Sequence, residues 1–116
     1  MNFEEQLKEE ILKSMQRMFT GRTNPLLLKA LNFYFPGLDF ALLIKSIPEQ
    51  AEDIFWIMID LNRIAVLEIP RQSDELADVK NEIIDINAFK QQITSKESRR
   101  RFNAAEKLMQ LKFKST

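Results

Sequence analysis

The 116-residue chain contains neither cysteine nor histidine. Without cysteine there are no disulfides and no thiol chemistry. The missing histidine excludes more, because histidine is the usual general acid or base near neutral pH and the commonest metal ligand. Most familiar hydrolase, nuclease and zinc mechanisms are therefore not expected.

Glycine is also scarce, with Gly21 and Gly37 as its two occurrences. A phosphate-cradling loop and a nucleophile elbow both need more glycine than this. The sequence does contain carboxylates that could form a catalytic pair, for example Asp60 with Glu68. Nothing in their spacing indicates that they converge in a cleft, so we expect a chain that is not an enzyme and uses no cofactor.

Long apolar runs are absent too. The longest, 54–59, is far shorter than the roughly 20 residues that a membrane-spanning helix needs. The N-terminus, MNFEEQLKEE, is acidic from its fourth residue, whereas a secretory signal starts basic and continues apolar. We expect a small cytoplasmic protein that starts at its initiator methionine and makes no membrane contact.

The formal net charge is zero, but charge is unevenly spread. Residues 1–89 hold 15 acids and 9 bases, a balance of −6, and residues 90–116 hold 2 acids and 8 bases, a balance of +6. Such a split is typical of a partner-binding tail, or of two parts that pack against each other. For a small and otherwise balanced domain we favour the second interpretation.

The stretch DIFWIMIDLNRIAVLEIPR predicts a hairpin with strands at 53–60 and 63–70 and a turn at Asp60 to Arg63. Alternation places one apolar set on one face of the first strand: Phe55, Ile57 and Ile59. A second apolar set falls on the other face: Ile54, Trp56 and Met58. Both faces therefore need a cover. Helices from both chain ends are numerous enough to supply it, so we expect a core hairpin rather than an exposed interface. A buried Trp56 would support the core, and an exposed one the interface.

A further strand is predicted at 38–47, with four apolar residues on one face: Leu38, Phe40, Leu42 and Ile44. The segment 74–93 is ambiguous. It carries an apolar stripe at helical spacing, but its β-branched centre favours a strand in the low 80s followed by a helix from Ala88.

Helices are predicted over 3–18 and after Asn24, which acts as N-cap with Pro25 in the first position. A strand is the alternative for that second segment. The C-terminal helix carries a capping-box pattern at Thr94 and Glu97. We therefore predict one α+β domain over 1–116, with a three- to four-stranded, mainly antiparallel sheet and helices at both chain ends.

Two charged groups are candidates for function. Asp78, Glu82 and Asp85 would lie on one face if 74–93 were helical, but no calcium-loop spacing accompanies them, so no metal site is expected. The run 99–101 consists of three arginines. They point about 100° apart on a helix, which favours a solvated helix start over a single anion-binding patch.

We expect a non-enzymatic protein-binding module, most specifically a small bacterial inhibitor of the immunity-protein or antitoxin kind that covers the active site of a basic toxin or nuclease domain. One alternative is nucleic-acid or regulatory binding through the basic C-terminal helix, which the pI of about 6.3 argues against. Another is a homodimeric structural subunit; a monomer and a homodimer both remain open. The residues predicted to contact the partner are Glu49, Glu52, Asp53, Asp74, Glu75, Asp78, Glu82, Asp85, Arg99, Arg100 and Arg101.

Overall fold

The computed structural model describes residues 2–114 as a four-stranded sheet with helices at both chain ends. This confirms the predicted α+β class. The helices are α1 (Phe3–Phe19), α2 (Pro25–Tyr34), α3 (Ile86–Gln92) and α4 (Lys96–Lys114), and the strands are β1 (Leu42–Pro48), β2 (Glu52–Met58), β3 (Arg63–Pro70) and β4 (Lys80–Asp85). A single 3₁₀ turn, Leu76–Asp78, precedes β4. Within 2–114, no helix is long and apolar enough to span a bilayer.

Local signals set the ends of the first two helices. Gly21, with φ of 78°, closes α1 in a Schellman motif, in which the Arg22 N–H donates to the Arg17 carbonyl at 2.9 Å. Asn24 caps α2, because its Oδ1 accepts from the N–H groups of Leu26 and Leu27 at 2.9 and 3.1 Å. The predicted cap is confirmed, and the strand alternative for this segment is wrong.

The sheet is an antiparallel meander in the order β1-β2-β3-β4. Asp60 forms the β2–β3 turn, since its Oδ1 accepts from the N–H groups of Asn62 and Arg63, both at 2.8 Å. The strand β3 has the predicted bounds, while β2 ends at Met58 rather than at residue 60. The predicted division of the hairpin side chains between two faces is confirmed.

The prediction for 38–47 is wrong at its start. The strand β1 begins at Leu42, and a bulge between Leu43 and Lys45 interrupts its alternation. As a result Leu38 packs on the opposite side of the sheet from Phe40. The physical reason is the left-handed turn at Gly37, with φ of 82°, after which the chain reaches the sheet only at Leu42.

The ambiguous segment 74–93 resolves as strand followed by helix. The strand β4 occupies the low 80s, and α3 starts two residues before the predicted Ala88. Asp85 caps α3 by accepting from the Asn87 N–H at 2.7 Å. The helical interpretation of this segment is therefore wrong.

The capping residue of α4 is Ser95 rather than Thr94. The Ser95 Oγ accepts from the Ser98 N–H at 3.0 Å, and the helix begins at Lys96. The capping-box pattern fits Thr94, which has Glu97 three residues later, whereas Ser95 has Ser98 at that spacing. The pattern therefore indicated the wrong residue, and the path of the chain places Ser95 at the start of the helix.

Each face of the sheet has its own core. One face, the α2 face, packs on α2 with Leu27 and Leu31 against Ile57 and Leu67, all fully buried. The other face packs on α1, α3 and α4, and we call it the three-helix face. Its fully buried residues include Ile11, Leu42, Met58, Ile64, Phe102 and Met109. Burying one such side chain contributes about 1.5–3 kcal/mol.

The cap of α2 gives a test of the fold. We expect Asn24→Ala to lower the free energy of unfolding by about 1 kcal/mol, because two N–H groups lose their acceptor. Urea unfolding measures the change. Asn32→Ala is the control, since Asn32 is exposed within the same helix. Equal destabilisation by the two substitutions would contradict the assigned cap.

Candidate functional site

The three-helix face is covered unevenly, as successive rows of cross-strand neighbours show. The first row is Leu42, Met58, Ile64 and Ile84, and its first three members are fully buried. The second row is Lys45, Trp56, Val66 and Glu82. The third row is Ile47, Ile54, Glu68 and Lys80. Burial by the helices falls off along this series, and Ile47 and Ile54 belong to neither core.

Trp56 lies at the boundary between the covered and uncovered rows. It is half-buried and packs on the edge of the three-helix core. The Nζ of Lys45 lies 4.8 Å from its ring centroid, a cation–π distance. A small cavity of about 80 Å³ separates this pair from Phe89 and Ile93. Ligand pockets usually measure 300–1,000 Å³, so this volume suits an inserted side chain better than a small-molecule substrate.

Beyond Trp56, the uncovered rows combine apolar and acidic side chains. Ile47 and Ile54 are directly opposite each other and half-buried. Glu52 lies one step further along β2 on the same face, diagonal to Glu68 on β3. Lys80 is directly opposite Glu68. We call this surface the open sheet end: Lys45, Ile47, Glu49, Glu52, Ile54, Trp56, Val66, Glu68, Lys80 and Glu82.

Two of the four glutamates of the open sheet end, Glu52 and Glu68, repel each other. The pKa of Glu52 is raised, first because its carboxyl shares a hydrogen bond with Glu68, then through partial desolvation and the negative charge of Glu68. Lys80 acts in the opposite direction, and Glu49 adds a smaller upward contribution. Two carboxylates placed side by side disfavour the folded state when both are ionised, so this pair does not contribute to the stability of the fold at neutral pH.

The structure divides the remaining predicted acids among other places. Asp53 faces the α2 side and pairs with Arg71, whose Nη2 lies 2.8 Å from its Oδ1. Asp78 accepts a hydrogen bond from Ser73 Oγ at 2.6 Å in the loop after β3, where Asp74 and Glu75 are also exposed.

The helical arrangement considered for Asp78, Glu82 and Asp85 does not form. Glu82 and Asp85 face opposite sides of β4, and Asp78 lies outside that strand. Among residues 2–114, no group of three or more acidic side chains is placed to hold a metal ion.

The three consecutive arginines have separate roles inside the fold. Arg101 donates from Nε and Nη2 to the Leu43 carbonyl, at 3.2 and 2.8 Å, and its Nη1 lies 3.0 Å from Glu10 Oε1. Arg99 donates to the Ile93 carbonyl at 3.3 Å. The Arg100 guanidinium lies over the Phe3 ring at 5.3 Å. These contacts spread the three cations over three directions.

Contacts between α1 and α4 pair acidic residues of the N-terminal part of the chain with basic residues of the C-terminal part. Arg101 pairs with Glu10, and Lys107 pairs with Glu4, whose pKa is lowered chiefly by that hydrogen bond. The Lys107–Glu4 pair borders an open groove of about 880 Å³ between the two helices. The charged residues that line the groove are Glu4, Arg100, Glu106 and Lys107, so the groove presents no net charge to a ligand.

Sequence reasoning named Glu49, Glu52 and Glu82 but missed Glu68, Ile47 and Ile54. The signal was present in part. The Asp60 turn fixes the β2–β3 register, and that register places Glu68 opposite Ile54 and diagonal to Glu52. The incomplete burial of Ile47 and Ile54 could not be predicted from the sequence, because it depends on where α3 and α4 stop covering the sheet.

Comparison with protein-family models, with curated proteins and with solved structures finds no match to this chain.

The contact between Arg101 and β1 gives a second test. We expect Arg101→Ala to lower the free energy of unfolding by roughly 1–3 kcal/mol, because a part-buried carbonyl loses both donors. Arg100→Ala, on the exposed neighbour, should stay within about 0.5 kcal/mol of the parent chain. Urea unfolding of both variants decides the matter, and equal losses would contradict a specific role for Arg101.

The glutamate pair gives a third test, based on pH. The raised pKa of Glu52 means that the folded state binds its proton more tightly than the unfolded state does. Stability from this group is therefore lost as pH rises from the ordinary glutamate pKa through the raised one. We expect Glu52→Gln to be more stable than the parent at neutral pH, and this advantage to shrink in acid.

Unfolding midpoints across a pH series measure this difference. Glu75→Gln is the control, since Glu75 lies in the exposed loop away from the pair. A Glu52→Gln advantage that stays constant with pH would contradict the repulsion.

Proposed function

We propose that this chain is a non-enzymatic protein-binding module that uses the open sheet end to bind a basic surface of a partner protein. The observation that supports this most is the coincidence of half-buried apolar side chains outside both cores with an unfavourable carboxylate pair. Ile47 and Ile54 belong to neither core, and Glu52 beside Glu68 disfavours the fold. A partner that supplies apolar cover and positive charge would relieve both.

Charge complementarity indicates which kind of partner fits. The open sheet end holds four acids, Glu49, Glu52, Glu68 and Glu82, and two lysines, Lys45 and Lys80, which gives a net charge of −2. Lys45 is engaged with Trp56. A lysine or arginine of the partner would meet the Glu52 and Glu68 carboxylates, and charged groups of this kind govern partner choice and association rate.

The composition of the surface also favours a protein over a small molecule. Trp is enriched at the energetic centres of protein interfaces, and Trp56 borders a cavity that suits one side chain. The more specific form of the proposal is a small inhibitor of the immunity-protein or antitoxin kind. In that role the open sheet end covers a basic active-site region of a toxin or nuclease domain.

Nucleic-acid binding through α4 gains no comparable support. Arg101 is held between Leu43 and Glu10, and Lys107 is paired with Glu4. The remaining cations of α4 lie along a helix whose other charges include Glu97 and Glu106.

A charge reversal tests the proposal without weakening the fold. Glu52→Lys removes the repulsion with Glu68, so the variant should remain folded while it loses complementarity to a basic partner. Glu75→Lys makes the same change of charge in the exposed loop after β3 and serves as the matched control. Both variants and the parent chain are used as bait in a native extract, and the captured protein is then purified and titrated calorimetrically.

We expect a stoichiometric protein partner for the parent and for Glu75→Lys, and an affinity at least about tenfold lower for Glu52→Lys, which corresponds to about 1.4 kcal/mol. If the partner is a toxin, its activity should be inhibited at a one-to-one ratio. Absence of a stoichiometric partner, or equal affinity for both variants, would overturn the proposal. Nucleic-acid binding that falls steeply with salt would support the alternative through α4.

A further inference from the structure

The C-terminal end of α1 borders an open groove of about 620 Å³. This volume lies within the range of about 300–1,000 Å³ that small-molecule sites occupy. Among the described residues, the cations that line the groove are Lys13, Arg17 and Arg22, and the acid is Asp39, so the lining has a net charge of +2. The groove is therefore a second charged surface, opposite in sign to the open sheet end.

Two of these cations have no partner within the described part of the chain. The guanidinium groups of Arg17 and Arg22 make no ion pair or hydrogen bond there. The backbone nevertheless holds the two residues together, because the Arg22 N–H donates to the Arg17 carbonyl at 2.9 Å in the turn at Gly21. The fold thus fixes two arginines beside each other without supplying a carboxylate for either.

Ordinary structural roles account for part of this charge. The dipole of α1 favours a cation in its last turn, which is Arg17, whereas Arg22 lies beyond the helix end. Lys13 pairs with Glu9 at 3.4 Å, but both side chains are largely exposed, and such surface pairs contribute little. A positive charge therefore remains for a ligand to neutralise.

The residue types in the groove indicate the chemistry of that ligand. The planar guanidinium fork of arginine matches the paired oxygens of phosphate and carboxylate. A phosphate monoester carries about −1.5 to −2 charge near neutral pH, which matches the net charge of the lining better than a single carboxylate does. Met15 and Phe19, both half-buried, line the same groove and offer an apolar surface beside the cations.

We propose that this groove binds a small soluble molecule that carries a phosphate monoester and an aromatic or apolar group. The phosphate contacts Arg17 and Arg22, and the apolar group lies against Met15 and Phe19. The inference is independent of the proposed function, because no residue of the open sheet end lines the groove.

The first experiment titrates the ¹⁵N-labelled full-length chain with phenyl phosphate and follows the amide signals by NMR. Salt at about 0.15 M screens ions that are only loosely attracted. We expect saturable shifts around Phe19 to Arg22 with a dissociation constant of about 1 mM or lower, a realistic affinity for so small a probe. Benzoate, which keeps the ring with one carboxylate, and inorganic phosphate, which lacks the ring, should each bind at least about tenfold more weakly.

Two outcomes of this titration overturn the proposal. One is the absence of saturable shifts with phenyl phosphate. The other is equal affinity for phenyl phosphate and for either of the two comparison probes.

The second experiment repeats the titration with variants. We expect Arg22→Glu to weaken phenyl phosphate binding at least about tenfold. The Arg22 side chain is exposed and the hydrogen bond of the turn uses its backbone N–H, so the variant should fold, which its amide spectrum checks. Lys96→Glu is the matched control, because it makes the same change of charge at the exposed start of α4, outside the groove.

A third variant should improve binding. Asp39→Asn removes the acid from the lining, and we expect it to strengthen phenyl phosphate binding about two- to fivefold, the effect of one exposed charge. A damaged fold cannot produce such a gain. Equal losses in Arg22→Glu and Lys96→Glu, or binding that Asp39→Asn does not strengthen, overturn the proposal.

A last experiment distinguishes a soluble ligand from a lipid headgroup of the same chemistry. Vesicles that contain phosphatidic acid present phosphate monoesters on a surface, and sedimentation separates bound from free chain. We expect the chain to stay in the supernatant, since its formal net charge of zero gives no general attraction to an anionic surface. Cosedimentation that Arg22→Glu abolishes would assign the groove to a lipid headgroup and overturn the soluble ligand.

Discussion

The constraint on which this structure depends is the β2–β3 hairpin, which is apolar on both faces. Successive strand side chains point to opposite sides, so a hairpin of this composition cannot leave either face in water without exposing a large apolar area. The chain solves this by dividing its helices. The helix α2 covers one face, while α1, α3 and α4 cover the other. The meander order and the placement of helices at both chain ends are consequences of that division.

The two covers do not extend equally far. On the α2 face, burial continues along β3 to Ile69, where Leu76 and Val79 from the segment before β4 add to the core. On the three-helix face, burial ends near Trp56. The difference arises because the 3₁₀ turn lies on the α2 side and no comparable segment lies opposite it among residues 2–114. The open sheet end is therefore a product of uneven cover rather than of any single motif.

The charged side chains also fall into two groups, those that pair within the molecule and those that do not. Part of the segregated charge is paired within the molecule, where Glu4 and Glu10 of α1 meet Lys107 and Arg101 of α4. Glu52 and Glu68 are the exception, because their arrangement opposes the fold instead of supporting it. Because the two apolar cores stabilise the fold, the protein can retain an unfavourable pair of this kind where binding to a partner favours it.

The sequence by itself determined the features that depend on near neighbours along the chain. It was sufficient for the α+β class, the two faces of the hairpin and the Asn24 cap, because periodicity and capping act over a few residues. It left 74–93 undecided, since β-branched propensity and a helical stripe balanced locally. It misplaced the start of β1, which follows the turn at Gly37, and the cap of α4, where the capping-box pattern favoured Thr94 over Ser95.

Only the tertiary structure decided the candidate site. The Arg101 contact with Leu43 joins residues 58 positions apart, and the Glu52–Glu68 pair requires the cross-strand register. The incomplete burial of Ile47 and Ile54 depends on how far the helices reach over the sheet. Such properties arise from the docking of whole elements. For that reason a sequence pattern that correctly identifies the core hairpin cannot indicate which end of it remains uncovered.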